Sequence, residues 1–233
     1  MKLRLHNYWR SSASHRVRIA LGLKGLEFEY VVVNILKKDQ FADAYRALNP
    51  MSQVPTLEVT EDDGSVHTIA QSLPILEFLE ERFPEVPLLP SDAYLRARCR
   101  GLAEIVNSGI QPLQNLSTTK RLVQLGVDDK AWVKAFIAEG MTALAMATAD
   151  VSGMFSVGDS PTIADCCLVP QLASARRFGL LDADGVWSEH EPLPGLHDPG
   201  RASLDALLAI EKRCLALPAF ANAAPDRQPD AVK

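Results

Sequence analysis

What this chain has little of narrows it first. Its four cysteines, Cys99, Cys166, Cys167 and Cys214, show no C-x-x-C spacing. That argues against a zinc site or a disulfide framework and for a reducing, cytoplasmic setting. As thiols they read as small buried hydrophobes. No apolar run reaches membrane-spanning length. The stretch Met1 to His6 carries charges where a secretory leader needs an unbroken apolar core, so neither a membrane nor export is expected. Basic excess is missing too: the net charge is −5, which speaks against a chain that coats nucleic acid. What is there is ordinary for a globular protein. The 233 residues are 47% apolar and 23% charged, enough for two modest domains with real cores.

The order of elements is informative. Residues 2–8 alternate and predict a strand. Ser14 to about Lys24 has helical spacing at Val17, Ala20 and Leu21, with Gly25 as the stop. Glu27 to Val33 predicts a second strand, and Gln40 to Leu48 a short helix. Pro55–Thr60 and Ser65–Ile69 predict a hairpin around Asp62-Asp63-Gly64. Ser72 then caps a helix carrying Ile75, Leu76, Leu79 and Phe83. Three prolines between Pro84 and Pro90 mark a linker. Beyond it only helices are expected: Tyr94–Val106, Lys130–Thr148, Ile163–Phe178 and Ala202–Leu215. The tail from Ala223 is polar and ordered only where it packs. The fold class expected is therefore an α/β thioredoxin-like domain (1–83), a linker (84–92) and an all-α domain (93–233).

A redox thioredoxin carries C-x-x-C after its first strand. Here that place holds Ser11-Ser12-Ala13-Ser14. Hydroxyls at the mouth of a helix, where backbone N–H groups are unpaired and the macrodipole is positive, make an anion or thiolate site. Any thiol chemistry must then come from a bound molecule. Thr162-x-x-Asp165 has the form of a capping box and reads as a folding element.

At this point the chain resembles a known family, the zeta class of cytosolic glutathione transferases, whose characterised activity is maleylacetoacetate isomerisation. The resemblance rests on Ser11 through Leu21, Asn49-Pro50-Met51 with Gln53 through Leu57, and Gln71-Ser72-Leu73 with Ile75. It continues through Gly109–Ser117, Ala164-Asp165 with Leu168–Gln171, Arg177-Phe178, and Arg227-Gln228-Pro229-Asp230. Two departures stand out. Ala13 replaces the family's cysteine, and the segment from Leu180 to about Arg201, with Trp187 and His190, is longer than usual. A lining role for that segment and a surface role are both open.

The resemblance implies glutathione as cofactor and a small dicarboxylate-like substrate. It implies that Ser11 favours the thiolate, whose free thiol titrates near about 8.5, with Ser12 and Ser14 as supporting contacts or caps. Val54, turned outward by a cis bond to Pro55, would pair with the cysteinyl part, and Gln71 and Ser72 would hold the γ-glutamyl carboxylate. Gln40 would reach the glycyl end, and Gln111, Asn115 and Ser117 would close the pocket. Arg16 and Arg177 would neutralise substrate carboxylates and developing charge, with Arg176 and His15 as further substrate contacts. The implied reaction converts maleylacetoacetate to fumarylacetoacetate in aromatic amino acid breakdown, without a metal. Maleylpyruvate isomerisation, broad conjugation of small electrophiles and a non-catalytic scaffold are the alternatives. A homodimer is expected from the same resemblance.

Overall fold

The computed structural model describes residues 1–182, 184–188 and 201–232, the side chains of 201–203 excepted. His190 and most of the long 180–201 segment lie outside the described residues. By its contacts the chain divides into two compact units: Met1–Leu88 with Leu215–Lys233, and Leu89–Cys214. This corrects the expectation of a helical domain running to the C-terminus, because Leu215 onward packs with the first unit.

The first unit is built on a sheet of four strands, β1 (Lys2–Asn7), β2 (Glu29–Val32), β3 (Thr56–Thr60) and β4 (Val66–Ala70), in the order β2-β1-β3-β4. β1 pairs parallel with β2 and antiparallel with β3, and β3 pairs antiparallel with β4. In this register Leu3 faces Val59 and Leu5 faces Leu57, and all four are buried. Arg4, between them on the other face, pairs with Glu29 and Glu58 at 2.9 and 2.7 Å. Helices α1 (Ser12–Leu23) and α3 (Ser72–Arg82) pack together. Their Val17, Ile19, Leu21, Ile75, Leu76 and Leu79 are fully buried, each contributing about 1.5–3 kcal/mol. The expected Gln40–Leu48 helix is interrupted at extended Ala42, leaving a 3-10 turn at Asp39–Phe41 and α2 at Asp43–Leu48.

α1 is buried on more than one side because α9 (Pro218–Ala223) covers a second face. Gly22 makes this possible: a Cβ there would lie 3.3 Å from both Cα and Cβ of Ala219. Lys24, just past α1, is buried and fully paired. Its Nζ donates to Glu80 Oε2 (3.1 Å) and to the carbonyls of Phe83 and Val86 (both 2.7 Å). Glu80 Oε2 also accepts the Leu88 N–H at 2.7 Å.

The second unit contains α4 (Ala93–Glu104), α5 (Leu116–Gln124), α6 (Asp129–Thr148), α7 (Ile163–Arg177) and α8 (Arg201–Leu215). α4 runs on into a π-helical turn, Ile105–Ile110. Asn115 caps α5, a helix absent from the expectations above. Thr162 and Asp165 form the capping box of α7, and Asp165 also accepts the Ser156 N–H at 2.8 Å. All four thiols are free and buried.

Candidate active site

In the first unit the site begins where β1 ends. Ser11 is the N-cap of α1, so the helix starts before Ser14, where the periodicity placed it. Ser11 Oγ accepts the Ser14 N–H at 3.1 Å, and its own N–H donates to the Tyr8 carbonyl at 3.0 Å. A hydroxyl has one donor and two acceptor sites, so capping leaves its O–H available. No acidic residue lies in the first turn, and the positive end of the dipole is not offset there. Ser12 is half-buried at the first helical position, and Ser14 is buried with its Oγ lacking a hydrogen-bond partner.

The Val54–Pro55 peptide is cis. The turn before it is braced by Asn49 Nδ2 and the Tyr45 hydroxyl, which donate to the Gln53 carbonyl at 2.8 and 2.5 Å. The Gln71 side-chain amide donates to Gln53 Oε1 at 3.1 Å. Gln71, not Ser72, occupies the N-cap of α3, at φ 73° and without a side-chain cap bond. Because Pro74 has no N–H, the donors left in that first turn are those of Ser72 and Leu73. Ser72 is buried and its Oγ accepts from Arg16 Nη1 at 3.0 Å. A hydroxyl that accepts from a guanidinium is polarised to donate onward. Gln40, on the 3-10 turn, is buried with its Oε1 lacking a hydrogen-bond partner.

Two expectations change here. Arg16, expected at a substrate carboxylate, is only 1% exposed, and it reaches Ser72 through Nη1. His15 is 3% exposed and its Nε2 has no hydrogen-bond partner. Burial, and after it the Arg18 charge, pushes its pKa down to about 3. It is a neutral core residue, not a polar wall. Below pH 6.5 the unfolded chain takes up a proton that the folded chain refuses. Stability from this group is thus complete above about 6.5 and falls by about 1.4 kcal/mol per unit as pH drops toward 3. His15→Phe should flatten the profile: between pH 7 and pH 5 the native protein should lose about 2 kcal/mol more than the variant in urea titrations. Equal losses in both would exclude His15 as the source.

Loop residues 7–9 are held by side chains that sequence reasoning missed. Arg18 donates from Nη2 to the Trp9 carbonyl (3.0 Å) and from Nη1 to Asn7 Oδ1 (3.0 Å). Asp230 Oδ2 accepts the Trp9 N–H at 3.1 Å. Arg18 was visible only as one more residue of a helical pattern, and Asp230 only as the end of a motif.

In the second unit, Gln111 is half-buried and closes the π turn, its N–H donating to the Val106 carbonyl at 2.9 Å. Asn115 accepts the Ser117 N–H at 3.3 Å as a cap, and Ser117 is exposed. The neighbouring Gln114 is buried and exchanges amide hydrogen bonds with Gln171 at 3.0 and 3.2 Å. Arg176, expected as a substrate contact, is engaged elsewhere in this structure: its guanidinium forms a two-pronged pair with Glu211 at 2.6 and 2.5 Å. Arg177 is exposed, and its guanidinium lies 4.8 Å from the centre of the Phe178 ring.

Comparison with known proteins agrees with this picture. A model of the glutathione S-transferase N-terminal domain matches residues 10–82. The chain is 42% identical to the maleylacetoacetate isomerase of Rattus norvegicus, covering 97% of this chain and 94% of that protein. It is 39% identical to a maleylpyruvate isomerase of Ralstonia sp, covering 99% and 100%. Among solved structures it resembles the maleylacetoacetate isomerase of Anaeromyxobacter dehalogenans 2CP-1 with glutathione in the active site. There the TM-score is 0.84 at 49% identity, covering 99% of this chain and 98% of that one. A second crystal structure of that enzyme holds dicarboxyethyl glutathione and citrate.

Proposed function

Since the chain belongs to the zeta-class glutathione transferase and maleylacetoacetate isomerase family, we propose that it is a glutathione-dependent cis–trans isomerase converting maleylacetoacetate to fumarylacetoacetate. The observation that carries this is the donor set of the first unit. A capped helix start with a spare hydroxyl, a cis-proline corner and a second helix start backed by a buried arginine stand together in one compact unit.

The residues present fit glutathione. Ser14 Oγ and Gln40 Oε1 are buried polar atoms lacking hydrogen-bond partners, as expected beside a ligand that brings polar atoms of its own. The α3 start, with Ser72, Leu73 and Arg16 behind them, suits a carboxylate. The backbone of Val54 suits an extended peptide segment. When bound, glutathione supplies a sulfur nucleophile that adds reversibly to an activated double bond, which is what isomerising such a bond requires.

The protein's own contributions follow. Ser11 donates its hydroxyl to the sulfur, and with the α1 dipole favours thiolate over thiol. Val54, Gln71 and Ser72 hold the tripeptide, with Arg16 fixing Ser72. Gln111, Asn115 and Ser117 are assigned as further contacts from the helical unit. Arg177 takes the substrate carboxylate. Arg177→Ala should lower isomerase kcat/KM by about 30- to 100-fold, the loss expected for one charge-assisted contact. Conjugation of a neutral electrophile should stay within about twofold. Arg176→Gln should instead lower stability by unpairing buried Glu211. If Arg177→Ala weakens both reactions equally, its carboxylate role is wrong.

Maleylpyruvate is the second reading, supported by the Ralstonia relative that matches over its whole length. Assays on both maleyl substrates, with and without glutathione, decide between them. Turnover of neither would leave the electrophile-conjugating reading. A cytoplasmic homodimer is part of the proposal. Four buried free thiols suit a reducing compartment, and among the described residues no helix is long and apolar enough to cross a membrane. Sedimentation at micromolar concentration tests the dimer.

A further inference from the structure

A hydroxyl that must meet a sulfur needs its own backbone held in place by packed neighbours. Ser11 is carried by a short loop, Tyr8-Trp9-Arg10, and that loop is gripped from two directions. Arg18, only 3% exposed, holds the Trp9 carbonyl and the Asn7 side chain, and its Nε donates to the Ala223 carbonyl at 3.2 Å. Asp230 holds the other side of the same peptide strand. One carboxylate oxygen accepts the Trp9 N–H at 3.1 Å, and the other accepts the Tyr30 hydroxyl at 2.5 Å. The loop then closes onto the site through the bond from the Ser11 N–H to the Tyr8 carbonyl.

The charges agree with the geometry. Burial lowers the Arg18 pKa to about 10, opposed by Tyr30 and Asp230. Arg18 therefore stays a cation at neutral pH, and Asp230 provides a counter-charge. The Tyr30 phenol, half-buried and donating to Asp230, is pushed far above its usual range and remains a donor. A buried guanidinium, a carboxylate and a phenol, each hydrogen-bonded, specify one loop conformation rather than several.

We propose that Asp230 is a positioning residue for Ser11: carried on the C-terminal segment, it sets the loop between β1 and α1 so that the Ser11 hydroxyl and the α1 start are presented to the glutathione sulfur. This rests on the reading of Ser11 given under the proposed function.

The test compares Asp230→Ala, Asp230→Asn, Tyr30→Phe and Ser11→Ala in the full-length protein. Three readouts are taken: the pH midpoint of ultraviolet thiolate absorbance with glutathione bound, amide hydrogen exchange at Trp9 without glutathione, and the division of activity between kcat and KM. Asp230→Ala should raise the thiolate midpoint by about 0.5 to 1 unit and speed Trp9 exchange about tenfold. It should lower kcat about three- to tenfold, with the KM for glutathione within about twofold, because Val54, Gln71 and Ser72 are untouched. Asp230→Asn keeps an oxygen for the Trp9 N–H and should recover most of the shift.

If Asp230→Ala does not fold, Tyr30→Phe, which removes the bond that holds Asp230, carries the test and must raise both the midpoint and the exchange rate. If Ser11→Ala raises the midpoint and no folded Asp230 or Tyr30 variant does, the positioning role is overturned while the reading of Ser11 stands. The positioning role is equally overturned if only the melting temperature moves. If Ser11→Ala leaves the midpoint unchanged, the reading of Ser11 falls, and the proposal with it.

Discussion

Replacing Ser11 with alanine should lower isomerase turnover about a hundredfold, the scale seen when one preorganised donor to a developing or resident anion is removed. Ser11 has two jobs. Its oxygen accepts the Ser14 N–H and so caps α1. Losing that bond costs about 1 kcal/mol of stability. Its proton is free for the sulfur. Ser11→Asp separates the two. A carboxylate is an equally good cap and suits the helix dipole, but it offers the thiolate a like charge. The expected result is therefore a stable, inactive Ser11→Asp and a less stable, inactive Ser11→Ala, read by kcat/KM and by urea midpoint. Activity that follows stability across the pair would reduce Ser11 to a cap. Ala13 makes the measurement cleaner, since no cysteine stands beside Ser11 to take over.

Replacing Lys24 with methionine should cost about 3–5 kcal/mol, a large share of the stability of a domain. The Lys24 side chain is 1% exposed. All three ammonium protons are used, on Glu80 and the carbonyls of Phe83 and Val86. Methionine fills the space and leaves the Glu80 carboxylate buried without its cation, still accepting the Leu88 N–H. Pairing it with Glu80→Leu should recover only part of the loss, because the two carbonyls and that N–H stay unpartnered. Denaturant unfolding of both single variants and the double variant measures this. A double variant as stable as the native protein would mean that the ion pair alone, and not the stretch from Phe83 to Leu88 it ties down, is what Lys24 secures.

How legible these features are in the sequence depends on the range of the interaction. The alternation of Leu3 and Leu5 and the periodicity of Val17, Ala20 and Leu21 point to β1 and α1, because burial period is a local property. The start of α1 lies earlier than the apolar pattern suggests, since a cap is set by one hydrogen bond that the pattern does not contain. α5 and α9 were missed. Each is short, and α5 opens on polar residues, so tertiary packing decides it more than propensity does. Arg176 and Arg177 are neighbours with identical chemistry. Glu211, far along the chain on α8, pairs with Arg176, and nothing local in the sequence marks which of the two it takes. His15 and Arg16 follow Ser11 on a helix start, where exposure is the usual expectation. Their burial arises because α1 is covered on more than one side, by α3 and by α9. The serines, the Val54-Pro55 corner and Gln71-Ser72 were expected as a set from the resemblance, and the structure shows the cis bond and the two helix starts at those positions. The role of Asp230 was not legible, because its partners are 200 and 221 residues away.

The packing of α9 and Asp230 onto the first unit also bears on how the protein is made. Chains emerge from the ribosome N-terminus first, and a domain folds once all of it is outside. Here the sheet and α1 appear early, but the face of α1 around Gly22 and Arg18 has no cover until the entire helical unit and then Leu215 onward have been synthesised. The nascent first unit must therefore wait with that face bare, and it is in this interval that a chaperone would find the chain.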